Sequence, residues 1–350
     1  MLAINVIKIF SLGTLSFLTA FTLTPLLTYY LYKYKLWRKE TRDKSIDGED
    51  IPVFKKFHGK EKSKTPRFGG LLIPAVTILL AFLFSFLAKI DGEALSKLDF
   101  LSRGQTWLPL FALVSASLIG VADDSLQVFK KGKYIGGGLK LKYRLALVAL
   151  IGVIGGYWFY YKLGWQALHV PGMGDIQIGI WYIPLFVLVT MATYSGGVID
   201  GLDGLAGGAF ATMFGAFAAI ALSLSQVNLA AFCTVIVGTI LAFLWFNIPP
   251  ARFYMGETGI MGLCVTLTVV AFLTDSVLVL PIIGFLLVIE AGSVILQLLS
   301  KKIRGKKILQ AAPIHHHFEA KGWPHYQITM RFWVIGVVMA IVGFTIRMLG

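Results

Sequence analysis

The sequence predicts an all-α, polytopic membrane protein, and three observations carry that reading. Of its 350 residues, 57% are hydrophobic and only 14% charged, where a soluble domain carries about a quarter charged. About ten apolar runs approach the roughly 20 residues needed to cross a ~30 Å hydrocarbon core. Basic residues are segregated into alternate connections between those runs. The runs fall at 6–32, 69–90, 105–122, 143–162, 179–199, 205–224, 228–247, 258–275, 277–300 and 328–349. The eighth and ninth meet at Asp275 with almost no loop between them. Nothing divides the chain, so residues 1–350 are read as one integral membrane domain.

The net charge of +14 predicts the orientation. Twelve Lys and Arg residues lie between Lys33 and Arg67, five between Lys130 and Lys142, and six between Lys301 and Lys321. The alternate loops, around 91–104 and 163–178, are short and nearly balanced. By the positive-inside rule the basic loops are cytoplasmic, and both termini then lie outside. The first run continues smoothly into a basic loop and does not read as a cleaved signal peptide. Basic charge without an RNA- or DNA-binding motif predicts no nucleic-acid partner; anionic membrane lipids or a polyphosphate substrate suit it better. Cys233 and Cys264, the only cysteines, fall inside apolar runs and read as small hydrophobes without a disulfide framework.

Along the chain, the first basic loop ends in EKSKTPRFGG (61–70), where lysines and paired glycines suit close approach to a phosphate but also suit a membrane anchor and helix-entry turn. The third run ends in LIGVADDSLQV (118–128). Asp123 and Asp124 sit at a helix C-terminus, where the macrodipole disfavours negative charge, so a surface cap explains them poorly. Adjacent side chains diverge by roughly 100°, leaving one free to face a reacting group while the other holds a cation or a lysine. The loop KKGKYIGGGLKLKYR (130–144) lacks P-loop spacing and reads as a flexible turn. The fifth run ends in SGGVIDGLDGLAGG (195–208). Asp200 repeats the anomaly of the aspartate pair, and Asp203 suits an N-cap of the sixth helix. In FNIPPARFYMGETG (246–259), Glu257 suits the first turn of the eighth helix. Glu290, in the ninth run, must find a partner or a water-filled cavity. APIHHHFEAKGWP (312–324) places His315, His316 and His317 in a row, a poor single-metal chelate if helical but suitable donors to phosphate.

All these polar elements fall on the face assigned as cytoplasmic. Carboxylates for a hard cation such as Mg²⁺, basic groups for phosphate oxygens and glycines for close approach together describe phosphoryl transfer. A transporter places its polar groups near the bilayer midplane in repeated halves. Neither is seen here, so a transporter or flippase is the weaker reading.

Nearly end to end, through TP..GG, the aspartate pair, DGLDGLA, WFN…P A…MG.TG, VILQ and APIHHHFE.KGWP…RFW, the chain resembles the phospho-N-acetylmuramoyl-pentapeptide transferases, a branch of the polyprenyl-phosphate N-acetylhexosamine-1-phosphate transferase superfamily. The resemblance implies ten transmembrane helices, a homodimer in the bacterial plasma membrane and Mg²⁺ dependence. It implies transfer from UDP-N-acetylmuramoyl-pentapeptide to undecaprenyl phosphate, giving lipid I and UMP in peptidoglycan synthesis. It casts Asp123 as base or charge partner for the lipid phosphate with Asp124 beside it, Glu257 as the Mg²⁺ ligand, and His315 at the catalytic end. Lys62, Asp200, Gly201, Asp203, Asn247, Tyr254, Gln297 and His316 match positions lining the nucleotide-sugar pocket. A sibling reaction, moving N-acetylglucosamine-1-phosphate or another UDP-N-acetylhexosamine to a polyprenyl phosphate, is the alternative; the histidine block argues against it. Departures cluster at the site: Glu257 for aspartate, Tyr194 and Gly197 for two asparagines, Ile199 for threonine, TPRFGG for TPTMGG, Asp123-Asp124-Ser125 for DDY, and His325 for the acidic residue after GWP.

Overall fold

The computed structural model describes residues 2–38, 64–90, 96–102, 104–129 and 138–350. Its helices follow the apolar runs: α1 Leu2–Lys33, α2 Leu72–Ile90, α3 Trp107–Val128 and α4 Leu141–Tyr157. After a two-stranded hairpin come α5 Tyr182–Ser195, α6 Leu205–Ser223, α7 Val227–Asn247 and α8 Gly256–Leu273. The chain closes with α9 Phe285–Arg304, the short α10 Ile314–Ala320 and α11 His325–Met348. Among the described residues nine helical stretches are long and apolar enough to cross a membrane.

The difference from ten lies in the ninth run. Residues 277–300 are not one helix: a single turn, Leu280–Ile283, stops at Gly284, whose N–H closes back on the Leu280 carbonyl at 2.7 Å. α9 then begins afresh. It buries one face, Leu286, Leu287, Glu290, Ser293, Gln297 and Ser300, and exposes Val288, Ile295, Leu299 and Ile303 on the other. Its last turn carries Lys301, Lys302 and Arg304. Polar and charged residues on an amphipathic helix lower its hydropathy below that of a uniform span.

α8 is the axis of the bundle. Every residue of it except Glu257 is buried. α3 and α5 pack against it, while α7 packs on α1 and α6, α4 on α5, and α11 on α6. The α3–α8 crossing is close because a side chain is missing at Gly120, where a Cβ would run into the Glu257 backbone carbonyl. This contact brings the last turns of α3 to the first turn of α8.

The other end of α8 is closed by the hairpin, β1 Ala167–Val170 paired antiparallel with β2 Gly174–Gln177, Leu168 opposite Ile176. This small sheet departs from the loop expected at 163–178. Phe159, Tyr182, Phe186 and Phe272 form an aromatic cluster beneath it, with Phe186 and Phe272 centroids 4.4 Å apart. His169 Nδ1 lies 2.9 Å from Asp175, the His169 N–H donates to Asp275 at 3.2 Å, and Arg347 donates to Ser276 at 3.0 Å, tying the hairpin to the ends of α8 and α11. Cys233 and Cys264 are buried and unbridged, as their apolar surroundings predict.

Candidate active site

Both aspartates at the end of α3 are fully buried, and each is held by a different set of donors. Asp124 answers the wrong-sign end of its own helix by capping another. Its Oδ1 accepts the Glu257 N–H at 3.2 Å; its Oδ2 accepts the Thr258 N–H at 2.9 Å and the Thr258 hydroxyl at 2.8 Å. The open N–H groups and positive end of α8 thus stabilise a carboxylate that the C-terminal end of α3 disfavours. Gly256, at φ +70°, turns the chain into α8 where a Cβ would lie 2.6 Å from Asp124 Oδ2. Asp123 accepts Gln127 Nε2 at 2.7 Å and the Leu139 N–H at 2.5 Å.

Two guanidiniums knit the carboxylates together. Arg144, in the first turn of α4, forms an ion pair with Glu257 and lies 3.8 Å from Asp123 Oδ2. Arg67 Nε donates to Asp124 Oδ1 at 3.3 Å. Asp200 joins through the Gly256 N–H at 3.3 Å. Burial pushes the Asp200 carboxyl up to about 7; Arg67 and the Gly256 N–H oppose the rise, while Glu257 and Asp124 add to it. Burial alone would lower the Arg67 value, but Asp124, Asp200 and Glu257 more than offset it and hold the guanidinium charged. Tyr194 places its hydroxyl 3.3 Å from Glu257 Oε2. At Gly197 a Cβ would meet Ile260 Cγ2, so the space of the second missing asparagine is filled by an α8 side chain.

A second layer shapes the surrounding loops. Asn247 accepts the Gly204 N–H at 3.0 Å and donates to the Phe253 carbonyl at 2.8 Å, joining the 200–204 turn to the loop before α8. Asp203 accepts the Ala251 N–H at 3.1 Å. The N-cap of α6 is Gly204, in the left-handed conformation and without a side-chain cap. The capping role expected of Asp203 is therefore corrected, because the turn points its carboxylate across to the neighbouring loop. The Tyr254 backbone donates to Pro66 at 2.8 Å and accepts the Gly69 N–H at 3.0 Å, stapling TPRFGG to the entry of α8.

Glu290 finds the partner its position requires. Its Oε2 lies 2.8 Å from His315 Nδ1, and both side chains are fully buried. His315 closes over Gly201, where a Cβ would strike its Nε2. His316 pairs instead with Glu319 at 2.7 Å, and His317 Nδ1 accepts the Gln310 N–H at 3.2 Å. Gln297 is engaged at both ends of its amide: Oε1 accepts the Ile308 and Leu309 N–H groups, both at 3.0 Å, and Nε2 donates to the Leu309 carbonyl at 2.8 Å. That arrangement orders the loop after α9. Lys62 lies outside the described residues, as does most of the first two basic loops.

The sequence models and curated relatives place this site in a family. The model of "Glycosyl transferase family 4" matches residues 106–275, which hold Asp123, Asp124, Asp200 and Glu257. The phospho-N-acetylmuramoyl-pentapeptide-transferase of Levilactobacillus brevis is 38% identical over 287 residues, 81% of this chain and 84% of the relative. The enzyme so named in Lactiplantibacillus plantarum is 36% identical over 330 residues, 93% and 94% of the two chains. That of a Geobacillus species is 34% identical over 336 residues, 95% and 96%. The chain belongs to the phospho-N-acetylmuramoyl-pentapeptide-transferase family.

Within that family framework, sequence reasoning placed Tyr194 and the TPRFGG segment that holds Arg67 among the departures at the site without giving either side chain a role, and it missed Arg144. Arg144 carried a readable signal: a cation in the first turn of a helix opposes the macrodipole, the mirror image of the anomaly that marked Asp123 and Asp124. Arg67 was hidden among loop charges that serve the positive-inside rule.

With Asp200 ionised, the cluster sets four carboxylates, Asp123, Asp124, Asp200 and Glu257, against two guanidiniums, Arg67 and Arg144, so two negative charges are left over. That excess suits a divalent cation. Among the described residues, the one set of three metal-capable side chains with ligand atoms within 4.8 Å of one another is His169, Asp175 and Asp275 at the opposite end, which Arg347 already contacts. The carboxylate cluster is thus no closed cage. It fits Mg²⁺ in the way that ion is commonly held, by one or two carboxylates with water and substrate phosphate completing the shell.

Proposed function

We propose that this chain transfers phospho-N-acetylmuramoyl-pentapeptide from its UDP-linked precursor to undecaprenyl phosphate, giving lipid I and UMP. The observation that carries the reading is the gathering of Asp123, Asp124, Asp200, Glu257, Arg67 and Arg144 at one end of the bundle, in a chain with relatives of that name. The basic connections support a cytoplasmic placement of this end in a bacterial plasma membrane, with both termini outside if the broken ninth run completes a crossing. The protein is read as a homodimer on the resemblance alone.

The reaction forms one P–O bond and breaks another. An oxygen of the lipid phosphate attacks the sugar-linked phosphorus of the donor, and UMP leaves with the electron pair of the broken bond. A phosphate oxygen is already a competent nucleophile, so the barrier lies mainly in bringing two anions together. Arg67 and Arg144 lower that barrier with fixed positive charge in a site of restricted water. Asp123, held by Gln127 and the Leu139 N–H, would take a proton from a monoprotonated lipid phosphate. Glu257 and Asp200 would hold Mg²⁺, which when bound neutralises charge on the bridging diphosphate. Asn247 and Gly201 shape the backbone against which the nucleotide lies.

Purified protein in detergent, supplied with undecaprenyl phosphate, Mg²⁺ and UDP-N-acetylmuramoyl-pentapeptide, is expected to release UMP, and chelation of the metal is expected to stop it. Release with UDP-N-acetylglucosamine alone would move the chain to the sibling reaction. No release with either donor would overturn the reading.

A further inference from the structure

Arg67 is fixed at its base and open at its tip. Its own N–H donates to the Leu36 carbonyl at 3.1 Å, and the next residues are stapled to α8 through Gly69 and Gly70, whose N–H groups reach the Tyr254 and Met255 carbonyls at 3.0 Å. The side chain is anchored by Nε alone, 3.3 Å from Asp124 Oδ1, an oxygen that the Glu257 N–H fixes in turn. Neither terminal guanidinium nitrogen makes a hydrogen bond among the described residues, and the side chain is 21% exposed beside an aspartate that is not exposed at all. An arginine held by Nε presents its two terminal nitrogens as a rigid, coplanar fork, the geometry that takes two oxygens of a phosphate. Anchoring also removes part of the rotamer entropy that a free arginine loses on binding.

Building on the transferase reading, we infer that Arg67 is a phosphate-binding fork, taking two oxygens of the donor diphosphate or of the lipid phosphate. The pattern that the chain resembles has threonine here, in TPTMGG, so the resemblance itself implies no such contact. Arg67 accompanies the other departures in the same place: Glu257 is one methylene longer than aspartate and is met by Tyr194 and Arg144. The guanidinium adds a fixed positive charge within the carboxylate cluster, where threonine has none.

The test is equilibrium titration of the full-length protein in detergent with excess Mg²⁺, using UDP, uridine and geranyl phosphate, on wild type, Arg67→Thr and Arg67→Lys. One charge-assisted bidentate contact predicts a loss of about 10- to 100-fold in affinity for one phosphorylated ligand in Arg67→Thr, with uridine binding unchanged. Arg67→Lys keeps the charge without the fork and is expected to fall between. Loss confined to UDP assigns the fork to the donor, and loss confined to geranyl phosphate assigns it to the acceptor. Unchanged affinity for both, or equal loss of uridine binding, overturns the inference. UMP release by wild type, measured in parallel, reports separately on the transferase reading.

Discussion

Replacing Asp124 by asparagine distinguishes a structural carboxylate from a chemical one. Four donors converge on Asp124: Arg67 Nε and the Glu257 N–H on Oδ1, and the Thr258 N–H and hydroxyl on Oδ2. An amide nitrogen in place of either oxygen leaves two of these facing a donor, at about 1–3 kcal/mol for each stranded group, so roughly 2–6 kcal/mol in all. The Thr258 hydroxyl can turn away, which favours the lower half of that range. Loss of a negative charge from an over-negative cluster works in the opposite direction. Asp123→Asn makes the same charge change, but there Gln127 can rotate its amide to offer an oxygen to the new NH₂, so the packing cost is about 1 kcal/mol or less. The difference between the two variants therefore isolates the cap. Heating both proteins in detergent and following helical circular dichroism and monodispersity should show Asp124→Asn melting well below Asp123→Asn. Turnover should be lost in both. An Asp124→Asn protein as heat-resistant as Asp123→Asn refutes the argument that Asp124 caps α8, and wild-type-like turnover in Asp123→Asn removes the role given to that residue.

Other consequences are equally direct. In a double-mutant cycle, His315→Ala and Glu290→Ala should each destabilise by about 3–5 kcal/mol, because either leaves an uncompensated buried partner, while the double variant costs clearly less than their sum; additive melting shifts would show that the pair is not coupled. Gly120→Ala should abolish turnover and lower the melting temperature sharply, since its Cβ meets backbone of α8 that cannot rotate aside; a soluble, active variant would show that α3 and α8 are less tightly crossed. Burial, ahead of its neighbour Asp175, raises the Asp275 carboxyl above its ordinary range, while His169 and Arg347 oppose this. The unfolded chain then ionises Asp275 at lower pH than the folded one, so this residue costs nothing in strong acid and costs stability progressively as pH rises through the ordinary carboxylate range up to the raised value. Asp275→Asn should remove that slope, seen as a wild-type-minus-variant melting difference that falls with rising pH; a pH-independent difference would contradict it.

The helical membrane architecture was legible in sequence because each crossing is a local property: some twenty apolar residues leave the backbone no better partner than itself. Asp123 and Asp124 also announced themselves locally, as carboxylates at the end of a helix that repels them, and Glu290 did so as a charge in an apolar run. The family resemblance, and not any local pattern, supplied Glu257 as a candidate metal ligand from its place in MGETG. What the sequence could not decide is which distant group answers each of these. That Asp124 caps α8 and that Arg144 joins Asp123 to Glu257 depend on helix ends separated by many residues but brought together where α3 crosses α8 at Gly120, while Glu290 meets His315 because α10 packs back on α9. The break at Gly284 escaped the hydropathy pattern because apolar residues continue on both sides of it. Arg67 looked like one more loop cation until the fold placed its base on Asp124 and left its tip open, a distinction made by tertiary contacts alone.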